Sequence, residues 1–426
     1  MTPSPQDQIR ILSRRCERIL GEQELIHKLQ RSAQSGKPLR IKLGMDPTSP
    51  DVTLGHGVPL KVIRQFQDWG HKAVLIIGDY TARVGDPSGV NTTRPILSGE
   101  QIDANAKTYV QQVGKILLTD EKHLEVRYNG EWLAKMNLVD IIKLASRKTL
   151  AQLLTRDDFA KRHAEGVEIH LHEILYPLLQ GWDSVQIHAD VEMGGSDQLF
   201  NNLVGREFQK EEGQDPQVVI VTPLLVGTDG AMKMSKSKGN YIAVTEAPEE
   251  MFGKLMSVPD RLLEMYYTLL TDIPTAEFAP QIASDPRNAK VRLGKMIVAW
   301  LHGDAAAAAA VERFEKVIVG KGIPDEMPVW ILPKQDGRQE GSFGIAQLLN
   351  ASGLASSNSE AMRKIKEGAV RIDGEKITDT HTQICFSALG DVSLSLKEFA
   401  TTKNWPIKSG SFVLQLGNRR FVRIQF

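Results

Sequence analysis

Three lysines, Lys233, Lys236 and Lys238, fall within the segment 231–241, AMKMSKSKGNY, which Gly239 closes. Ammonium groups on flexible stems are mobile point charges, and mobile positive charge suits a departing polyphosphate. Most lysine-rich loops are solvated turns, so a second signal is needed. It lies upstream, where Asp46-Pro-Thr-Ser-Pro-Asp-Val-Thr-Leu-Gly-His56 follows the apolar run 39–45. No Walker loop and no G-x-G-x-x-G turn is present, so a nucleotide must be held another way. Gly55 and Gly57 allow close backbone approach, and a helix opening there would expose its amides to anions. A triphosphate placed there has His56 beside it. The lysines of the 233–237 loop close from the other side, clamping charge by electrostatics and positioning.

Two further segments carry side chains for an organic substrate. Tyr176, Gln180 and Asp183 are spaced by four and three, so a helix places a phenol, an amide and a carboxylate on one face. Such a face is costly to bury without a ligand. Gly194-Gly195-Ser196-Asp197-Gln198 reads as a turn at a strand end, where Asp197 suits a ribose hydroxyl much as acidic residues do in dinucleotide folds. Gly85-Asp86-Pro-Ser-Gly89, leading to Arg94, has the composition of an ordinary turn. His163, His170 and His172 lack metal-ligand spacing, the residue four beyond His172 being Tyr176, so no metal site is expected.

The elements that must position these groups follow from periodicity. A strand over 39–44, a helix over 57–69 with Pro59 in its first turn, and a strand over 73–77 form a βαβ unit. The rhythm returns as a strand over 184–193, a helix to about Glu212 and a strand over 218–222, with a mostly helical insertion over 102–180 between the halves. The expected class is α/β, a doubly wound parallel sheet with its ligand at the carboxyl ends of the strands. Helices are expected over 248–270, 286–302 and 304–319, and prolines 324, 328 and 333 mark a linker. The expected domains are 1–226, 227–325, a linker at 326–341, and a small α+β module over 342–426.

At 426 residues the chain exceeds one ordinary core, and 41% hydrophobic with 24% charged residues is a globular profile. Formal net charge is zero, so nucleic-acid contact requires local basic patches. Two cysteines, Cys16 and Cys385, imply neither a disulfide framework nor a zinc site. With no apolar run of signal or membrane-spanning length, a cytoplasmic location is expected.

The lysine loop and the segment ending at His56 resemble the paired ATP signatures of class I aminoacyl-tRNA synthetases. Over nearly its whole length the chain is similar to the bacterial tyrosyl-tRNA synthetase family. The resemblance implies that Tyr176, Gln180 and Asp86 contact the α-amino group of tyrosine, that Asp183 accepts its phenolic hydroxyl, and that Gln198 orients its carboxylate. It implies ATP as the nucleotide, bound by Gly44, Asp46, Gly55, His56, Arg94, Gly195, Asp197, Lys233, Met234, Ser235 and Lys236, with Mg2+ carried by the phosphates. Thr48, His56, Lys233 and Lys236 would stabilise the pentavalent phosphorus and the leaving pyrophosphate. Thr53 stands where the family commonly has histidine, Lys42 and Trp182 where it has tyrosine, and Val90-Asn91 where it has lysines. Lys42 either pairs with an acidic neighbour or donates to the substrate hydroxyl.

The C-terminal segments with Arg363, Lys364, Lys366, Arg371 and Lys376 are similar to a ribosomal-protein-type RNA-binding domain, and after Asp391 one glutamate stands against six basic residues. Phe421 and Trp405 are expected beside that basic surface, and Arg287, Lys290, Arg292 and Lys295 on a helix that reaches the anticodon arm. The implied partners are tRNA(Tyr) and a second copy of the chain, meeting through the inserted helices. The alternatives are a noncatalytic RNA-binding protein on this fold, a tryptophanyl enzyme, and an enzyme that stops at the adenylate.

Overall fold

A computed structural model describes residues 2–48, 50–87, 98–316, 327–331, 341–386, 392–395, 403–404, 411–417 and 420–425. The chain divides into two compact units, Met1–Asp304 and Ala305–Phe426.

The first unit is built on a six-stranded sheet of β1 (Arg18–Leu20), β2 (Arg40–Met45), β3 (Lys72–Ile77), β4 (Leu124–Tyr128), β5 (Val191–Gly195) and β6 (Val218–Thr222). The order is β1-β6-β5-β2-β3-β4, with every pairing parallel except β1 against β6. The sheet therefore reverses direction of growth between β5 and β2, and a crevice opens at that switch point beyond the strand ends. β3 and β6 are buried almost throughout, as continuous apolar runs in a sheet covered on both faces must be.

Several expected boundaries move. The helix expected from residue 57 starts at Leu54 and runs to Asp68, with Thr53 extended before it, so Gly55 and His56 form its first turn and Pro59 lies in its second. The strand expected over 184–193 is two elements. The helix Leu171–Gln186 continues through Ser184 and Val185, and β5 begins only at Val191. The inserted segment contains β4, whose LEVRY sequence alternates on a half-exposed edge, a weaker signal than the buried runs of its neighbours. The helix expected over 248–270 is broken into Pro248–Ser257 and Leu263–Leu270, because Pro259 drives Val258 into an extended conformation. Helix Pro286–His302 lies where expected, and Asp304–Phe314 follows it, with 317–319 outside the described residues.

The second unit is α+β. Helices Ile345–Ala351 and Asn358–Lys366 pack with a five-stranded sheet around Leu348, Leu349, Ile365, Ile372, Leu414 and Ile424. Part of the expected linker is a strand of that sheet: Val329–Ile331 pairs in parallel with Arg420–Gln425. Phe421, expected on the basic surface, is buried with Val413, and Trp405 lies outside the described residues.

Candidate active site

The crevice at the switch point is a cavity of about 1090 Å³. Its wall contains Gly44, Asp46, Thr48, Gly55, His56, Asp86, Tyr176, Gln180, Asp183, Gly195, Asp197, Gln198 and the loop from Met232 to Lys238. Residues from five separated stretches of sequence thus meet in one place. Arg94 lies outside the described residues.

At the floor of the cavity Asp183 is 3% exposed. Its Oδ1 accepts the indole N–H of Trp132 at 2.8 Å and its Oδ2 the amide of Asn129 at 3.3 Å. Burial, only partly offset by Lys42 and these donors, pushes its pKa up to about 7. Neither Asn129 nor Trp132 was read from the sequence. Both follow β4, whose ladder Asn129 extends by donating its N–H to the Ile77 carbonyl, so recognising that strand was the missing signal. Two turns back along the same helix, Tyr176 donates its hydroxyl to Asp46 at 2.9 Å, and Thr81 donates to the other oxygen of Asp46 at 2.7 Å. Burial and the neighbouring Asp46 raise the Tyr176 pKa well above its usual value, so it remains a donor.

Gln180 and Gln198 are held by one amide: Asn201 donates to Gln180 Oε1 at 2.9 Å and to Gln198 Oε1 at 3.2 Å. Gln198 donates in turn to Asp86 at 2.9 Å. Behind them the buried Arg156 guanidinium donates to Asn201 and stands 3.7 Å from Asp86. The helices Leu171–Gln186 and Leu199–Glu211 come close because of two glycines. A Cβ on Gly205 would stand 2.7 Å from Ser184 Oγ, and one on Gly181 2.8 Å from the Val204 side chain.

The other end of the cavity is cationic. Lys233 pairs with Asp197 at 2.8 Å. Lys236 donates to the Tyr109 hydroxyl at 2.9 Å and lies 5.1 Å from the centre of that ring. Burial lowers the Lys236 pKa to about 8. The loop is shaped by Asn240, which accepts the Ser235 N–H at 2.8 Å and donates to the Lys233 carbonyl at 3.1 Å. His56 accepts the Thr53 N–H on Nδ1 at 3.1 Å, leaving Nε2–H as its free donor, and the Thr53 hydroxyl lies 2.9 Å from the same nitrogen. Burial and the two lysines pull the imidazole down to about 3, so it is neutral at physiological pH. Thr53 therefore orients a neutral donor. Trp182 packs at the edge of the apolar cluster around Leu178, with the Arg147 guanidinium 5.3 Å from its ring.

Lys42 resolves between its two expected roles. It forms an ion pair with Glu192 at 2.8 Å, with both side chains 1% exposed or less. Among the described residues no group of three or more His, Cys, Asp or Glu side chains is arranged to hold a metal, and no helix is long and apolar enough to cross a membrane.

In the second unit Arg363, Lys366 and Lys376 are exposed, whereas Arg371 is half-buried and donates to the Gly374 carbonyl at 2.8 Å. The end of the Lys376 side chain lies over Gly368, just past helix Asn358–Lys366. On helix Pro286–His302 part of the expected basic face is already neutralised: Lys290 pairs with Asp260 at 2.6 Å and Arg292 with Glu277.

Comparison with known proteins adds the family. The model for class I tRNA synthetases of the tryptophan and tyrosine type matches residues 34–318, and that for the C-terminal domain of tyrosine–tRNA ligases matches 327–388. A tyrosine–tRNA ligase of Cupriavidus pinatubonensis is 46% identical over all of this chain and 96% of its own length. One from Thermotoga maritima is 48% identical over 99% of this chain and 98% of its own. Among solved structures, the Archaeoglobus fulgidus tyrosyl-tRNA synthetase, complexed with L-tyrosine, superposes with a TM-score of 0.59 at 23% identity, covering 72% of this chain and all of its own. A C-terminally truncated mitochondrial enzyme from Aspergillus nidulans gives 0.60 at 22% identity, covering 73% and 93%. At these identities the structural matches speak for the fold.

Proposed function

The chain belongs to the tyrosine–tRNA ligases, a family of class I aminoacyl-tRNA synthetases, and from that premise we propose how its cleft carries out the reaction. The activity is the ATP-dependent joining of tyrosine to tRNA. The observation that carries the assignment is the convergence of Tyr176, Gln180 and Asp183 with Lys233 and Lys236 on one cavity.

Tyrosine lies with its phenolic hydroxyl on Asp183, whose carboxylate Trp132 and Asn129 hold in place. Its ammonium group faces Tyr176, Gln180 and Asp86, and Gln198 orients its carboxylate. ATP lies over Gly44 and Gly55 with its ribose at Asp197. Lys233 must then leave that carboxylate and turn to the phosphates. The tyrosine carboxylate attacks the α-phosphorus in line and pyrophosphate leaves. The neutral His56 donates Nε2–H to the phosphates, Thr48 stands beside it, and Lys233 and Lys236 supply the positive charge. No residue of the chain becomes covalently attached. Magnesium would enter with ATP, carried by the nucleotide, and would offset the charge of the phosphates. A terminal ribose hydroxyl of tRNA(Tyr) then attacks the acyl carbon of the adenylate, losing its proton as the acyl–phosphate bond breaks and AMP leaves.

The second unit supplies tRNA contact through Arg363, Lys364, Lys366, Arg371 and Lys376. Partly exposed apolar residues on the inserted helices, Leu138 at 73% and Ile142 at 58%, with Leu150 and Leu171 nearby in sequence, support a homodimer joined through that region. A cytoplasmic location fits a ligase of this kind.

The test is charging of tRNA(Tyr) with labelled tyrosine, run beside tyrosine-dependent pyrophosphate exchange. The wild type should do both. Charge reversal at Arg363, Lys366 and Lys376 together should weaken charging by about tenfold or more and flatten its salt dependence while leaving exchange intact. Unchanged charging would remove the RNA role from that surface.

A further inference from the structure

Lys42 and Glu192 sit directly opposite each other on β2 and β5, the two strands between which the sheet reverses. The pair therefore lies at the switch point, one layer beneath the cavity, and Lys42 is absent from its lining. Every hydrogen of the ammonium has a destination. It donates to Glu192 Oε1 at 2.8 Å, to Ser184 Oγ at 2.7 Å and to the Gln180 carbonyl at 3.0 Å. Glu192 is as fully engaged: Oε2 accepts the Ser184 hydroxyl at 3.0 Å and the Gln217 amide, and Oε1 lies 3.3 Å from the Gln180 side-chain amide. The two helix residues that Lys42 grips, Gln180 and Ser184, bracket Asp183.

We propose that the buried Lys42–Glu192 pair is a positioning unit for tyrosine recognition, fixing the Gln180–Ser184 turn to the sheet and setting the charge balance behind Asp183. The inference rests on the reading that Asp183 receives the phenolic hydroxyl. A dry ion pair adds little stability over apolar residues of similar volume. Its use here is local: it places one positive and one negative charge behind a carboxylate that must be ionised to accept a phenol. The charged or titratable groups around Asp183 are Lys42 from β2, Glu192 from β5 and Tyr176 from its own helix, while Asp46 and Asp86 act on Tyr176. Lys42 favours the ionised carboxylate and Glu192 opposes it.

Opposite signs give the test. Wild type, Lys42→Met, Glu192→Gln, the Lys42→Met/Glu192→Gln double variant and Asp183→Asn are compared by tyrosine-dependent pyrophosphate exchange as a function of pH. Lys42→Met should raise the tyrosine KM by about tenfold or more with the ATP KM little changed, because the grip on Gln180 is lost and Glu192 is left unpaired. Its acid limb for tyrosine kcat/KM should move to higher pH and that of Glu192→Gln to lower pH, each by about half a unit or more. The double variant should return towards the wild-type limb, and Asp183→Asn should have no such limb. Shifts of the same sign, or none, in the two single variants would overturn the proposal. If Lys42→Met does not fold, as judged by thermal unfolding, Glu192→Gln and the double variant still decide by their limbs. If Asp183→Asn leaves the tyrosine KM and the limb unchanged, the underlying site reading fails. If it abolishes the limb while the pair variants do not move it, only the role of the pair fails.

Discussion

Burial leaves Asp183 with a pKa of about 7 and Lys236 with one of about 8, so the free enzyme carries two pH-sensitive groups at opposite ends of one cleft. The signs differ. Asp183 takes up a proton as pH falls through its raised pKa, and a protonated carboxyl no longer accepts the phenol, so tyrosine kcat/KM should decline below about pH 7. Lys236 loses its proton as pH rises through its lowered pKa, so ATP kcat/KM should decline above about pH 8. Because kcat/KM profiles report the free enzyme, steady-state exchange assays from pH 5.5 to 9.5 check both limbs. Asp183→Asn should remove the first and Lys236→Gln the second. His56 contributes no limb in this range, since its imidazole is already neutral. Asp183, Tyr176, Gln180 and the lysines were legible because their side chains come from contiguous helical or loop spacing. Asn129, Trp132, Glu192 and Ser184 were not, since each matters through a partner 51 to 150 residues away or through a strand pairing that spacing does not encode.

At the level of elements, helices Leu171–Gln186 and Leu199–Glu211 hold Gln180, Asp183 and Asn201 in one layer over β5 and β6, and Gly181 and Gly205 set how closely they approach. A methyl group at Gly205 would meet Ser184 Oγ and the Gln217 side chain under 3.0 Å, in a region without slack. Gly205→Ala should therefore destabilise the protein by about 1–3 kcal/mol, the usual cost of overpacking, and lower the urea midpoint. It should also raise the tyrosine KM, since Ser184 is gripped by Lys42. An unchanged midpoint would mean that the helices shift freely. The doubly wound sheet was legible from β2, β3 and β6, whose apolar runs are long. The boundary between the helix ending at Gln186 and β5 was not, because residues 184–193 alternate like a strand while the first three of them belong to a helix. The amphipathic edge strand β4 was hidden among helical segments for the same reason, its half-exposed pattern fitting either period.

For the whole molecule, the proposed dimer contact and the proposed catalytic cleft call on different surfaces. Leu138, Val139 and Ile142 project from helix Leu138–Ala145 with more than half their area exposed, which a solitary protomer would leave in water. Leu138→Glu/Ile142→Glu should sediment as a single protomer where the wild type sediments as two, with thermal unfolding showing that the fold persists. A wild type that sediments as one protomer would remove the dimer from the account. The central claim, however, is that one cavity activates tyrosine and selects it through Asp183. The direct measurement is exchange of labelled pyrophosphate into ATP with tyrosine, phenylalanine or tryptophan as the amino acid, for the wild type and Asp183→Ala. The account predicts exchange with tyrosine alone, lost in the variant. Exchange supported equally by phenylalanine, or retained by Asp183→Ala, would contradict it.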